Sequence, residues 1–157
     1  MPSRLAAALA LGALLWTVTL FAAPFALQGS PGLATAATFV YHGASLICHQ
    51  RPERSFQLAG VQLPVCARCL GLYVSGAAAA LAACAGWQRQ VSVPRASRTV
   101  FAVAAIPTAL TVAVEFAGFL HPSNTIRAVA AIPLGAAAGW IFVRSLRAEA
   151  SQRALAL

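Results

Sequence analysis

Three of the four cysteines of this 157-residue chain, one of its three histidines and three of its eleven arginines fall between Ile47 and Cys69. Cys66 and Cys69 form a C-x-x-C just after Pro64, at the start of an apolar run that reads as a helix. Residues three apart on a helix carry Cβ atoms about 5–6 Å apart on one face, so both thiols look the same way. With Cys48 and His49, across a linker of sixteen residues, they offer three sulfurs and one imidazole. That is a complete tetrahedral set for zinc and an acceptable one for iron or copper. Cys48 and His49 are adjacent and reach one ion together only if the backbone turns sharply there. Otherwise His42 or His121 is a candidate fourth ligand, or water leaves the position open, as in catalytic centres.

The same atoms support a second chemistry. A C-x-x-C at a helix N-terminus, with Arg68 between the thiols, favours the thiolate. On an oxidising face Cys66 and Cys69 would cycle between dithiol and disulfide, with Cys48 as a resolving thiol and a membrane quinone as electron acceptor. The arrangement is similar in outline to membrane disulfide oxidoreductases, which commonly carry a second cysteine pair where this chain has one further loop cysteine. A plain structural disulfide is the third reading. Cys84, fifteen residues past Cys69 in an Ala-rich run, reads as a small buried hydrophobe. Neither Ser45 nor Ser55 has the base and carboxylate that serine hydrolysis needs.

The elements that must position these groups are membrane helices. The chain is 60% hydrophobic and 9% charged, with a mean hydropathy of +0.77, well outside the range of soluble domains. Its formal charge of +8 comes from arginines between or just beyond apolar runs, with no lysine. That placement points to lipid headgroups and topology and argues against nucleic acid as a partner. Residues 5–27 run without a charge for long enough to cross a hydrocarbon core that needs about 20 helical residues. The run also exceeds the 7–15 apolar residues or so of a signal peptide and reads as a retained helix. Further spans are expected at 65–87, 99–120 and 126–143, followed by a basic tail at 144–157. Residues 33–47, which include His42, are short for a span and fit either a fifth crossing or a tilted, re-entrant or interfacial helix. The expectation is a single integral membrane domain over 1–157, all-α and polytopic, a compact bundle of four or five transmembrane helices. Gly135, Gly139 and the run from Gly76 to Gly86 supply small faces for close helix contact.

With four crossings and the N-terminus inside, seven arginines are cytoplasmic and four, Arg51, Arg54, Arg68 and Arg127, are outside. A multi-pass protein of the cell's inner (plasma) membrane with a cytoplasmic C-terminus follows. The spans starting at Val65 and ending at Leu120 form a hairpin through the basic loop 88–98. Cys66, Cys69, Glu115, His121 and the Cys48–His49 loop therefore share one membrane face. Glu115 would lie about 7 Å inside the end of its helix, where a carboxylate is expensive and is either functional or paired, here with Arg127 or Arg68. In Arg51-Pro52-Glu53-Arg54-Ser55 a proline followed by Glu suits a short interfacial helix. Arg51 and Arg54 are also candidates to hold an anion such as a lipid phosphate above the thiols.

The run CHQRPERSF from Cys48 to Phe56, then PVCARC from Pro64 to Cys69, then Gly71 and Tyr73, resemble the signature of a family of small prokaryotic membrane proteins catalogued as a domain of unknown function. The resemblance covers roughly Tyr41 to Gly76. It implies a compact helical membrane domain in which Cys48, His49, Cys66, Arg68 and Cys69 form the characteristic unit, and it carries no known activity. The reading is therefore a polytopic membrane protein whose outward-facing cluster of Cys48, His49, Cys66 and Cys69 binds a transition metal, zinc first, with Arg68 offsetting the thiolate charge. The alternatives are a thiol–disulfide oxidoreductase and a structural subunit or assembly factor of a larger membrane complex.

Overall fold

A computed structural model of the chain describes residues 2–86 and 97–155. It runs α1 (Pro2–Leu27), α2 (Pro31–Ser45), one 3-10 turn (Pro52–Arg54), a hairpin of β1 (Gln57–Leu58) and β2 (Val61–Gln62), then α3 (Ala67–Cys84), α4 (Ser97–Phe116) and α5 (Asn124–Leu155). Four of the helices, α1, α3, α4 and α5, are long and apolar enough to cross a membrane. The architecture is all-α and polytopic, as the hydropathy requires. Trp87 and most of the expected basic loop, with Arg89 and Arg95, lie outside the described residues.

The ends of α2 show how the 33–47 segment runs. Its 15 residues extend about 22 Å, against a hydrocarbon core of about 30 Å. Just before it, the Gln28 side chain donates to the Ala59 carbonyl at 3.3 Å. Just after it, Cys48 Sγ accepts the backbone N–H of Cys66 at 3.2 Å. Both ends therefore adjoin the 57–66 segment. At 15 residues α2 is shorter than the four helices that are long and apolar enough to cross a membrane.

The central contact is α3 against α5. A Cβ added to Gly71 would overlap the Ala128 carbonyl, one on Gly135 the Ser75 hydroxyl and Leu72 carbonyl, and one on Gly139 the Gly76 carbonyl. Small residues thus bring two backbones together, which is how helices associate where lipid removes the hydrophobic drive between them. α1 lies antiparallel to α3: Thr17 Oγ1 donates to Tyr73 O at 3.4 Å, and the Cys84 thiol to Ala6 O at 3.6 Å. Cys84 is half-buried there and packs as the expected small hydrophobe. At the far end Arg147 donates to the carbonyls of Ala83 (2.6 Å) and Cys84 (3.1 Å), satisfying the last turn of α3. α4 rests on α5 and buries none of its residues. Its Val103, Ile106 and Leu110 stay exposed, which suits a helix solvated by lipid.

One expected helix end is corrected, and the basic tail proves to be helical. α4 ends at Phe116, four residues before Leu120, because Gly118 takes φ +73 and closes the helix. There the N–H of Phe119 bonds Val114 O and the N–H of Gly118 bonds Glu115 O, both at 3.2 Å, a Schellman cap. Glu115 consequently sits in the last turn and not deep within the helix. α5 continues through the expected basic tail to Leu155, since residues 144–155 hold no Gly or Pro and are mostly helix formers.

Candidate functional site

Cys66 is the N-cap of α3, with extended backbone (φ −71, ψ 159), and Cys69 is three residues into the helix. Their sulfurs stand 3.4 Å apart. Cys48 comes from a separate element, the turn that follows α2, where it is 5% exposed within a cluster formed by Leu20, Ala44, Leu63, Val65 and Leu70. The three sulfurs lie within 4.8 Å of one another. Sulfurs bound at about 2.3 Å around a tetrahedral ion stand about 3.8 Å apart, so the spacing is close to that of a ligand set. All four cysteines are free thiols. The Cys66 thiol, one residue before α3, is held well below the usual thiol range, first by the hydrogen bond from the Cys69 thiol and against the opposing effect of burial.

Beside the sulfurs, three guanidinium groups converge on one carboxylate. Arg127 reaches Glu115 at 2.8 Å, Arg68 at 2.9 Å and Arg54 at 3.2 Å. Glu115 and Arg127 have side chains only 7% exposed, and Arg68 16%. Arg127 also donates to Asn124 Oδ1 at 2.9 Å. The expected pairing of Glu115 with Arg127 or Arg68 is thus a pairing with both, and with Arg54 as well. Arg51 meets Glu53 at 3.7 Å on the exposed rim. Four guanidinium groups against two carboxylates leave an excess of two positive charges. They surround a cavity of about 320 Å³ lined by His49, Arg51, Arg54, Cys66, Arg68, Cys69, Leu72 and Arg127.

A polar network holds the linker over this cavity. Gln50 donates to the carbonyls of Tyr41 and Pro64, both at 2.7 Å, and Gln62 donates to Gln50 O at 2.6 Å. Tyr41 in turn donates its hydroxyl proton to Gln62 O. Buried Ser55 donates to Arg51 O at 2.9 Å, closing the 3-10 turn, and its own carbonyl accepts from Asn124 at 3.0 Å. The hairpin turns through Ala59 (φ +52) and Gly60 (φ +77), the two left-handed positions of a two-residue type I′ loop. Sequence reasoning passed over Gln50, Gln62 and Asn124. An amide-rich segment beside a proline was the available signal.

Not every expected ligand joins the sulfurs. Among the described residues no histidine belongs to the three-sulfur group. His49 is exposed and lines the adjoining cavity. The left-handed backbone position in this stretch is Gln50, with φ +48. His42 and His121 are exposed and lie outside the group. Arg51, Arg54 and Arg68 all line the cavity next to the thiols.

A family model described as a predicted membrane protein (DUF2085) matches residues 48–141, from the first clustered cysteine to the middle of α5. An uncharacterized protein of Methanothermobacter thermautotrophicus is 30% identical over 89 residues, which cover 57% of this chain and 78% of that protein. An uncharacterized protein of Methanocaldococcus jannaschii is 56% identical over 34 residues, so the chain spans 22% of that relative's length and 22% of its own. No solved structure matches the chain.

Proposed function

The chain belongs to the DUF2085 family of predicted membrane proteins, and we propose that it binds one transition-metal ion, zinc first, through the thiolates of Cys48, Cys66 and Cys69. In this reading 1–157 is a single integral membrane domain. His49, on the wall of the adjoining cavity, or a water molecule fills the fourth position. The arginine asymmetry of the sequence supports an outward-facing site. The observation that carries the proposal is that three sulfurs from two separate elements lie within 4.8 Å of one another. A C-x-x-C alone brings two thiols together by helix geometry; the third, buried and accepting an N–H, has to be delivered by the fold of the linker. Three thiolates on a divalent ion carry one net negative charge, which the neighbouring guanidinium groups offset.

Cobalt substitution tests this. Co²⁺ added to metal-free protein in detergent should give thiolate-to-cobalt charge-transfer bands and the strong visible bands of a tetrahedral ion, both lost in Cys48→Ser. Octahedral, weakly absorbing cobalt in the native protein would end the proposal. One observation favours a second reading: the 3.4 Å contact of Cys66 and Cys69 suits a redox pair. There a substrate thiolate would attack Cys66 of the oxidised pair and release the Cys69 thiolate, the second substrate thiol would displace Cys66 to leave the substrate as a disulfide, and the reduced pair would pass two electrons and two protons to a membrane quinone, giving a quinol. Reversible titration of that pair between dithiol and disulfide, without bound metal, is its signature.

A further inference from the structure

The guanidinium cavity has an apolar neighbour across Leu72. Leu72, on its wall, also lines an apolar groove of about 870 Å³ between α1, α3 and α5. Along α3 the lining passes turn by turn from Cys69 through Leu72 to Gly76 and Ala80, a run of about 12 Å from Leu72 at 1.5 Å per residue. Its walls carry small residues, Ala10, Ala13, Ala77 and Ala80 beside the close α3–α5 contact at Gly76, Gly135 and Gly139. It lies at the level of the spanning helices, whereas the arginines lie at their ends.

We infer that the cavity and the groove together bind one lipid with a phosphomonoester headgroup, its phosphate among the guanidinium groups and one chain along α3. An occupant that touches both regions must be amphiphilic. Its head must be anionic, because the four guanidinium groups outnumber the two carboxylates and keep an excess positive charge even after one negative charge on the thiolate cluster is counted. Guanidinium forks match phosphate oxygens in pairs, and a phosphomonoester near neutral pH carries between one and two negative charges, in keeping with an excess of one to two. A zwitterionic headgroup would bring its own cation into the same space. This inference rests on the arginines and the groove, not on the sulfurs, so metal-free protein with the same lipid preference would leave it standing while the metal reading fell.

The test uses the full chain in a neutral detergent, titrated with dioctanoyl phosphatidic acid, dioctanoyl phosphatidylcholine and inorganic phosphate, with binding read from intrinsic tryptophan fluorescence. Phosphatidic acid should bind at least about tenfold more tightly than either comparison ligand. Arg54→Gln, at a side chain 40% exposed and so tolerant of change, should weaken phosphatidic acid binding at least about fivefold. Ala138→Phe, which fills the groove, should weaken the lipid and leave inorganic phosphate unchanged. Equal binding of phosphatidylcholine would reduce the site to an apolar groove, inorganic phosphate binding as tightly as the lipid would make it a free-anion site, and no binding at all would remove it. Each of these results overturns the inference.

Discussion

Replacing Glu115 with Gln should cost more stability than removing any other acid in the described structure. The carboxylate is the shared counterion of Arg54, Arg68 and Arg127. Two of those partners, at 16% and 7% side-chain exposure, cannot turn out to water, while Arg54, at 40%, can. Removing one partner of a buried ion pair costs about 3–5 kcal/mol, because the remaining charge is left uncompensated. Here two buried guanidinium groups are stranded facing each other, so the upper half of that range is expected, about three to four powers of ten in the folding equilibrium. The internal control is Glu53→Gln. Its pair with Arg51 is 3.7 Å long, with both side chains about 60% exposed, and its loss should cost less than about 0.5 kcal/mol. Unfolding in mixed micelles with rising sodium dodecyl sulfate, followed by tryptophan fluorescence, would measure both. A cost at Glu115 below about 1 kcal/mol, or equal to that at Glu53, would refute the view that this carboxylate holds the site end of the bundle together.

Other expectations follow from the same geometry. Gly71→Ala forces a Cβ into the Ala128 carbonyl and should destabilise the protein by about 1–3 kcal/mol in the same assay; a neutral result would show that α3 and α5 can separate freely there. Ala59→Asn places a residue tolerant of left-handed backbone at φ +52 and should raise stability by up to about 1 kcal/mol, with no gain expected if the hairpin is formed some other way. Chelation of the purified protein should lower its thermal midpoint, and zinc should restore it, because a ligand bound by the folded state stabilises that state; an unchanged midpoint would count against an ion held by the folded cluster.

Much of this architecture is legible in the sequence, and what escapes it has physical causes. Helix spacing places Cys66 and Cys69 on one face, and the hairpin of spans brings Glu115 to their end of the bundle, because both inferences use only local periodicity and the two sides of a membrane. The small faces of Gly135, Gly139 and Gly76 are visible for the same reason. What escapes is set by long-range partners. The apolar run 33–47 does not reveal that Gln28 before it and Cys48 after it both bond to the linker. The end of α4 depends on one glycine at positive φ, where the apolar run alone continues to Leu120. Glu115 invites one arginine from sequence and takes three, since Arg54 arrives through the linker fold. His49 reads as a natural companion of Cys48, but it is exposed on the cavity wall.

Metal content tests the central claim most directly. Protein purified in detergent without added metal or chelator, analysed by plasma mass spectrometry beside Cys48→Ser, should carry about one zinc or other transition-metal ion per chain, and the variant far less. Native protein free of metal, or a variant that retains the ion in full, would contradict the account.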